Sequence, residues 1–214
     1  MNLMIDLFAG LGGASEAFRN RDDWEVLCID NNPDLLQYII LGNRSYIVGD
    51  ITDTDWVIDI ISAFGVWDAY DKVVIWASPP CDQWSNGYAS QKSQCIRSGN
   101  KFIPDYACLD ATKYIIHNVS AYCETQGITF IYCIENVRGG IEFINNRLGL
   151  TWRQQIGQMF LWGNFPMMSK TPALVNHTKP DSRHSPIRAN IRAKVPYEAS
   201  EAFRLAIENQ TRLF

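Results

Sequence analysis

The stretch NLMIDLFAGLGGASEAFRN, residues 2–20, limits the possible folds more than any other part of this chain. It reads as a short apolar strand, a turn carrying Gly10, Gly12 and Gly13, and a helix on which Ala14, Ala17 and Phe18 recur at helical spacing. The same alternation continues downstream. WEVLCID is a second strand ending on Asp30, NPDLLQYIILGN a helix closed by Gly42 and Asn43, and SYIVGDI a third strand ending near Asp50. WVIDIISAFG is helical, KVVIWASPPC is a strand that runs into a loop, ACLDATKYIIHNVSAYCETQG is a long helix, and ITFIYCIENV is a further buried strand. Such alternation predicts an α/β, Rossmann-like architecture: a mostly parallel sheet with helices on both faces, and ligands bound at the C-terminal ends of its strands.

At 214 residues the chain has the length of one domain, and 47% hydrophobic residues against 20% charged give enough apolar material for a sizeable core. Disordered, collagenous and coiled-coil classes are thereby excluded. No apolar run approaches the roughly 18 residues of a spanning helix. The N-terminus reaches Asp6 where a signal peptide would carry Lys or Arg before a longer apolar stretch. A soluble cytoplasmic protein without membrane contact is expected. Six cysteines show no C-x-x-C pair and no regular spacing, so neither a metal site nor a disulfide framework is expected. Charge is unevenly spread: residues 1–150 carry 10 Lys and Arg against 19 Asp and Glu, whereas residues 151–214 carry 9 against 4. A basic final third on an acidic body fits a polyanion partner, although a solvated surface gives the same count.

Two polar stretches, 85–105 and 164–194, interrupt the alternation and read as long loops, which inside a compact domain are usually functional or disordered. After them VPYEASEAFRLAIEN is a helix opened by Pro196, with Ala199, Ala202, Phe203 and Ala206 on one apolar stripe. The expected organisation is a catalytic unit over residues 1–163, a short basic segment over 164–194, and a closing helix over 195–214 that packs back on the first unit.

Each strand end carries a chemical signal. Glycines between a strand and a helix let backbone approach a ligand at a positive helix end. Asp30, about 20 residues on, is placed to accept hydrogen bonds from ribose hydroxyls, and Asp50 to meet an adenine amino group. Taken singly each acid is a common turn residue; together the three signals point to a nucleoside-type cofactor. In ASPPCDQWS two prolines rigidify the loop and hold Cys81, a nucleophile candidate, at the mouth of the cleft. Glu135 in CIENV falls on the adjacent strand end. A thiol and a carboxylate in one cleft suit addition to a ring that must be protonated as it is attacked. Trp84 can serve either as core or as an aromatic wall for a base.

In this order, DLFAGLGG, Asp30, Asp50, SPPC and ENV resemble motifs of the cytosine-C5 DNA methyltransferases, and AKVPYEASEAFRLAI is similar to that family's closing motif. The variable region looks especially like that of short phage members. The resemblance implies a Rossmann-like methyltransferase fold, S-adenosylmethionine (SAM) as cofactor, and double-stranded DNA as partner, in a bacterial or phage-infected cell and in a setting such as restriction-modification. By it Phe8, Gly10, Gly12, Asp30, Asn31, Asp50, Ile51, Pro80, Lys194 and Val195 would form the cofactor pocket. Cys81 would add to cytosine C6, and Glu135 would hydrogen-bond the ring nitrogen and amino group. The base must then leave the duplex stack. Ser85, Lys92, Arg97 and Lys101 on the loop, and Lys170, Lys179, Arg183, Arg188 and Arg192 beyond it, would contact the nucleic acid.

The chain departs from the family in three places. Where Gln-x-Arg-x-Arg is usual, it has Gln154 followed by Ile156 and Gln158, so Arg153 would substitute as the catalytic cation. Ala193, Lys194 and Val195 replace Gly-Asn-Ser-Val, so Lys194 would meet the SAM carboxylate. Only about 30 residues separate these regions, too few for the usual recognition domain, so specificity would be short, supplied by 85–105, or brought by a partner subunit. An RNA cytosine methyltransferase or a weakly catalytic SAM- or DNA-binding accessory protein would share the same motifs.

Overall fold

Short runs of Val, Ile and Leu with no polar alternation are what a strand needs when both of its faces are covered. Such runs form the centre of the sheet, β1 (Asn2–Leu7), β2 (Trp24–Asp30), β4 (Lys72–Ala77) and β5 (Thr129–Val137), and a fifth strand, β3 (Arg44–Val48), lies half-exposed at its edge. They are mutually parallel, and two short strands, β6 (Gln154–Ile156) and β7 (Met159–Trp162), complete the order β3-β2-β1-β4-β5-β7-β6. The last pair is a hairpin turned at Gly157, whose φ is 56°, and β7 runs antiparallel to β5. The architecture is Rossmann-like α/β. This computed structural model describes residues 1–65, 67–169 and 185–210.

Alternate residues of the central strands feed two cores, as the period of two requires. Leu3, Ile5, Leu7, Val73 and Ile75 pack under α1 (Thr54–Ala63), α3 (Ala107–Gln126) and α4 (Ile141–Leu148). Met4, Val26, Val74 and Trp76 face the opposite way, toward Phe18 and toward Ala199, Phe203 and Ile207 of the last described helix, α6 (Tyr197–Glu208). Phe203 is fully buried, with its ring 4.9 Å from that of Trp76 and perpendicular to it. Ser200 secures the helix: its hydroxyl donates to the Ala14 carbonyl at 2.6 Å and accepts the Ala17 amide at 3.0 Å.

Helix content differs from the sequence reading in several places. The helix expected after the glycine turn is only a 3-10 turn, Glu16–Phe18, and the one expected over 33–42 is a 3-10 segment, Pro33–Tyr38. In the first case Arg19 is already extended, which ends the segment after one turn. In the second, β-branched Ile39 and Ile40 follow directly, and Ile39 is extended. The stretches read as loops each hold a short helix, α2 (Gln91–Ser98) and α5 (Arg188–Ala193), neither with a buried residue. A helix with no apolar stripe gives no periodic signal. The buried stripe of α6 runs through Ala199, Phe203 and Ile207 with Ser200 and Arg204, while Ala202 and Ala206 are half-buried beside it.

Candidate active site

β1 and β4 are neighbours whose connections leave in opposite directions, so a crevice opens beyond their carboxyl ends. A cavity of about 1210 Å³ occupies it. Its walls come from Phe8, Gly10 and Gly13 after β1, Asp30 and Asn31 at β2, Asp50 and Ile51 after β3, Pro80 and Cys81 after β4, and Glu135 on β5. Residues 189–196 close the remaining side, including Lys194 and Val195.

The turn after β1 has an unusual backbone. Phe8, Gly10 and Gly12 have φ of 58°, 54° and 68°. Glycine tolerates this region, but for an aromatic residue it is strained by roughly 1–3 kcal/mol, and such strain concentrates at ligand sites. Gly13 is required for a different reason: a Cβ there would lie 2.5 Å from the Val195 carbonyl oxygen, so only glycine lets residues 194–195 approach. Asp30 fastens the turn, with Oδ2 accepting the Gly10 amide at 2.8 Å and Oδ1 accepting the Asn32 amide at 3.0 Å. Asp50 is exposed at the rim. Its Oδ1 accepts the Thr52 amide at 2.9 Å and hydroxyl at 2.8 Å, which hold its carboxyl below the usual range.

Sequence reasoning missed Asp6. Its side chain is buried at 1% exposure yet lines the cavity, and burial pushes its pKa up to about 7, against the pull of Ser15 and Arg44. Next to it, burial and then Asp6 push the Cys28 thiol up to about 12. The strand register explains the grouping, because Asp6, Cys28 and Tyr46 are lateral partners across β1, β2 and β3.

The loop after β4 is held from below. Asn136, 1% exposed, donates from its amide nitrogen to the Pro79 carbonyl at 2.9 Å, and its Oδ1 accepts Trp84 Nε1 at 3.0 Å. Trp84 is therefore core: it is 2% exposed and its ring stacks over Phe143 at 6.2 Å. Cys81 sits half-buried between these anchors, with Glu135 immediately before Asn136 on the strand. Within the triplet ENV, Asn136 thus has a structural role beside Glu135 on the cavity wall.

Other expected site residues lie elsewhere. Gly12 is absent from the cavity wall, facing Arg44 instead. Arg153 is also absent from it: its amide donates to the Leu161 carbonyl at 2.7 Å and its guanidinium lies 5.6 Å over the Phe165 ring. Arg153 stands just before β6 (Gln154–Ile156), whereas the hairpin turn at the other end of that strand, residues 156–159, lines the cavity. Lys194 reaches the cavity, but its ammonium pairs with Glu16 at 2.8 Å. Ser85 and Arg192 line the cavity, and Arg188 is exposed on α5. Lys92 donates to Asn86 Oδ1 at 2.8 Å and to the Gly139 carbonyl at 3.3 Å, Arg97 lies 3.7 Å over the Tyr88 ring, and Lys101 is exposed. Lys170, Lys179 and Arg183 fall outside the described residues. Among those residues no group of His, Cys, Asp or Glu could hold a metal ion, and no helix is long and apolar enough to cross a membrane.

No protein-family model and no curated protein matches this chain. Among solved structures it is similar to the crystal structure of human methyltransferase-like protein 13 in complex with SAH, at 11% identity and a TM-score of 0.41, over 100% of this chain and 85% of that one. The fold assignment rests on strand order and register.

Proposed function

We propose that this chain is a SAM-dependent methyltransferase acting on C5 of cytosine in double-stranded DNA. One observation carries the reading: Cys81 and Glu135, from neighbouring strand ends, line the same cavity as the glycine turn, Asp30 and Asp50. A nucleoside cofactor fits these residues, since two carboxylates stand at successive strand ends beside a glycine turn that lines the same cavity. Asp30 would take the ribose hydroxyls on the lone pairs its two backbone bonds leave, and Asp50 with Ile51 the adenine. Bound there, SAM supplies the electrophilic methyl group that C5 of the base takes up.

The protein's own part is to make C5 nucleophilic. Cys81 Sγ, as thiolate, forms a bond to C6, and the electron pair of the C5–C6 double bond moves onto C5. Glu135 holds the ring nitrogen and the exocyclic amine, stabilising the charge that addition delocalises into the ring. After methylation the C5 proton leaves to a base, its bonding pair reforms the double bond, and the C6–S bond breaks to return the Cys81 thiolate. Both ring faces must be accessible, so the base has to be extruded from the helix.

The test is covalent trapping. A duplex carrying 5-fluorocytosine cannot release a proton from C5, so wild-type protein with SAM should form an adduct that survives denaturation, and Cys81→Ser should form none. An adduct on RNA alone would move the substrate to RNA. No adduct on any duplex or RNA carrying 5-fluorocytosine, with normal SAM binding, would replace catalysis by an accessory binding role.

A further inference from the structure

The glycine turn is held from a strand that contributes nothing else to it. Tyr46 Oη on β3 donates to the Gly10 carbonyl at 2.9 Å, and Arg44 Nη1, two residues earlier on the same face, donates to the Gly12 carbonyl at 2.8 Å. Arg44 is itself fixed. It is 6% exposed, its Nε donates to the Leu41 carbonyl at 3.3 Å, and its Nη2 donates to the Ile40 carbonyl.

In a trans peptide the carbonyl and the following N–H point in opposite directions, and no described peptide bond is cis. Drawing the Gly10 and Gly12 carbonyls toward β3 therefore turns the N–H groups of Leu11 and Gly13 away from it. Both residues line the cavity, and neither N–H bonds to a described residue. Unpaired amides aimed into a cleft suit a carboxylate.

We propose that Arg44 and Tyr46 act as a clamp that sets these two peptide planes, making them positioning residues for the carboxylate end of the cofactor. The proposal rests on the SAM reading above. Its first test needs no cofactor: amide hydrogen exchange over residues 9–15 in the whole protein. Tyr46→Phe, which removes one hydroxyl, should speed exchange there while leaving β4 and β5 unchanged. The same variant should weaken SAH binding, and raise KM for SAM, about fivefold with kcat at saturating SAM unchanged. Arg44→Lys, which keeps the charge but cannot span the three carbonyls, should act in the same direction more strongly. Unaltered exchange in Tyr46→Phe, or altered exchange with unaltered SAH affinity, would overturn the clamp. Wild-type protein that bound no SAH would overturn the cofactor reading and the clamp's purpose together, and exchange would still report whether the turn is held from β3.

Discussion

At the scale of single residues, the molecule places two acids of the cavity in different surroundings, Asp6 buried near the end of β1 and Asp30 bonded to the glycine turn. Asp6 is buried and its pKa stands near 7, above its ordinary value of 3.8, so folding favours its protonated form. The sign follows from linkage. Below about pH 4 the group is protonated in both states; from there to about 7 the unfolded chain loses the proton while the folded one keeps it, and stability falls as pH rises. Asp6→Asn should remove that fall, so its melting temperature relative to wild type should rise between pH 4 and 7 and level off above, as calorimetry would show. Asp30 makes two backbone bonds and has an open side toward the cavity. Asp30→Ala should cost SAM binding about 1–3 kcal/mol by titration calorimetry, through lost ribose bonds and a loosened Gly10. Asp30 was legible in the sequence because it ends a strand about 20 residues after the glycines. Asp6 was not, because its neighbours Cys28 and Arg44 are brought by β2 and β3 and Ser15 folds back on it from the turn after β1.

At the scale of elements, Asn136 joins β5 to the Pro-Pro-Cys loop, so its loss should affect chemistry and not cofactor binding. Asn136→Ala, leaving Trp84 Nε1 unpartnered, should cost about 1–3 kcal/mol of stability and slow 5-fluorocytosine trapping, with SAM affinity unchanged. The segment between Asp82 and Asp105 contains Lys92, Arg97 and Lys101 and no acid. If it lies along DNA, affinity should fall with salt at a log–log slope of about −0.9 per phosphate contact, and Arg97→Gln and Lys101→Gln should each flatten it by about one unit in binding titrations. Salt-independent affinity would assign these charges to solvent. All five parallel strands were readable in the sequence, four of them as apolar runs, and α1 and α3 as periodic ones. The segment after β1 was not, since Ala14, Ala17 and Phe18 keep helical spacing in the sequence while the backbone turns extended at Arg19. α2 and α5 present no buried side to be recognised by.

At the scale of the whole molecule, one face of the sheet is covered by a helix distant in sequence. Phe203 fills the space between Trp76, Phe18 and Phe165. Phe203→Ala should cost about 3–5 kcal/mol in urea unfolding, by lost burial and the cavity left behind. Ser200 and Ala17, which it bonds, stand 183 positions apart, and the wall of residues 189–196 meets a turn made near the beginning of the chain. On a ribosome the turn, both acids, the thiol and Glu135 all emerge well before that wall. Until position 196 and the helix behind it have cleared the exit tunnel, the crevice stands open on one side and Phe18 and Trp76 have no cover. A nascent chain therefore carries Asp30, Cys81 and Glu135 before it carries the wall that closes their cavity, and the cavity is completed in one step with the closing of the second core.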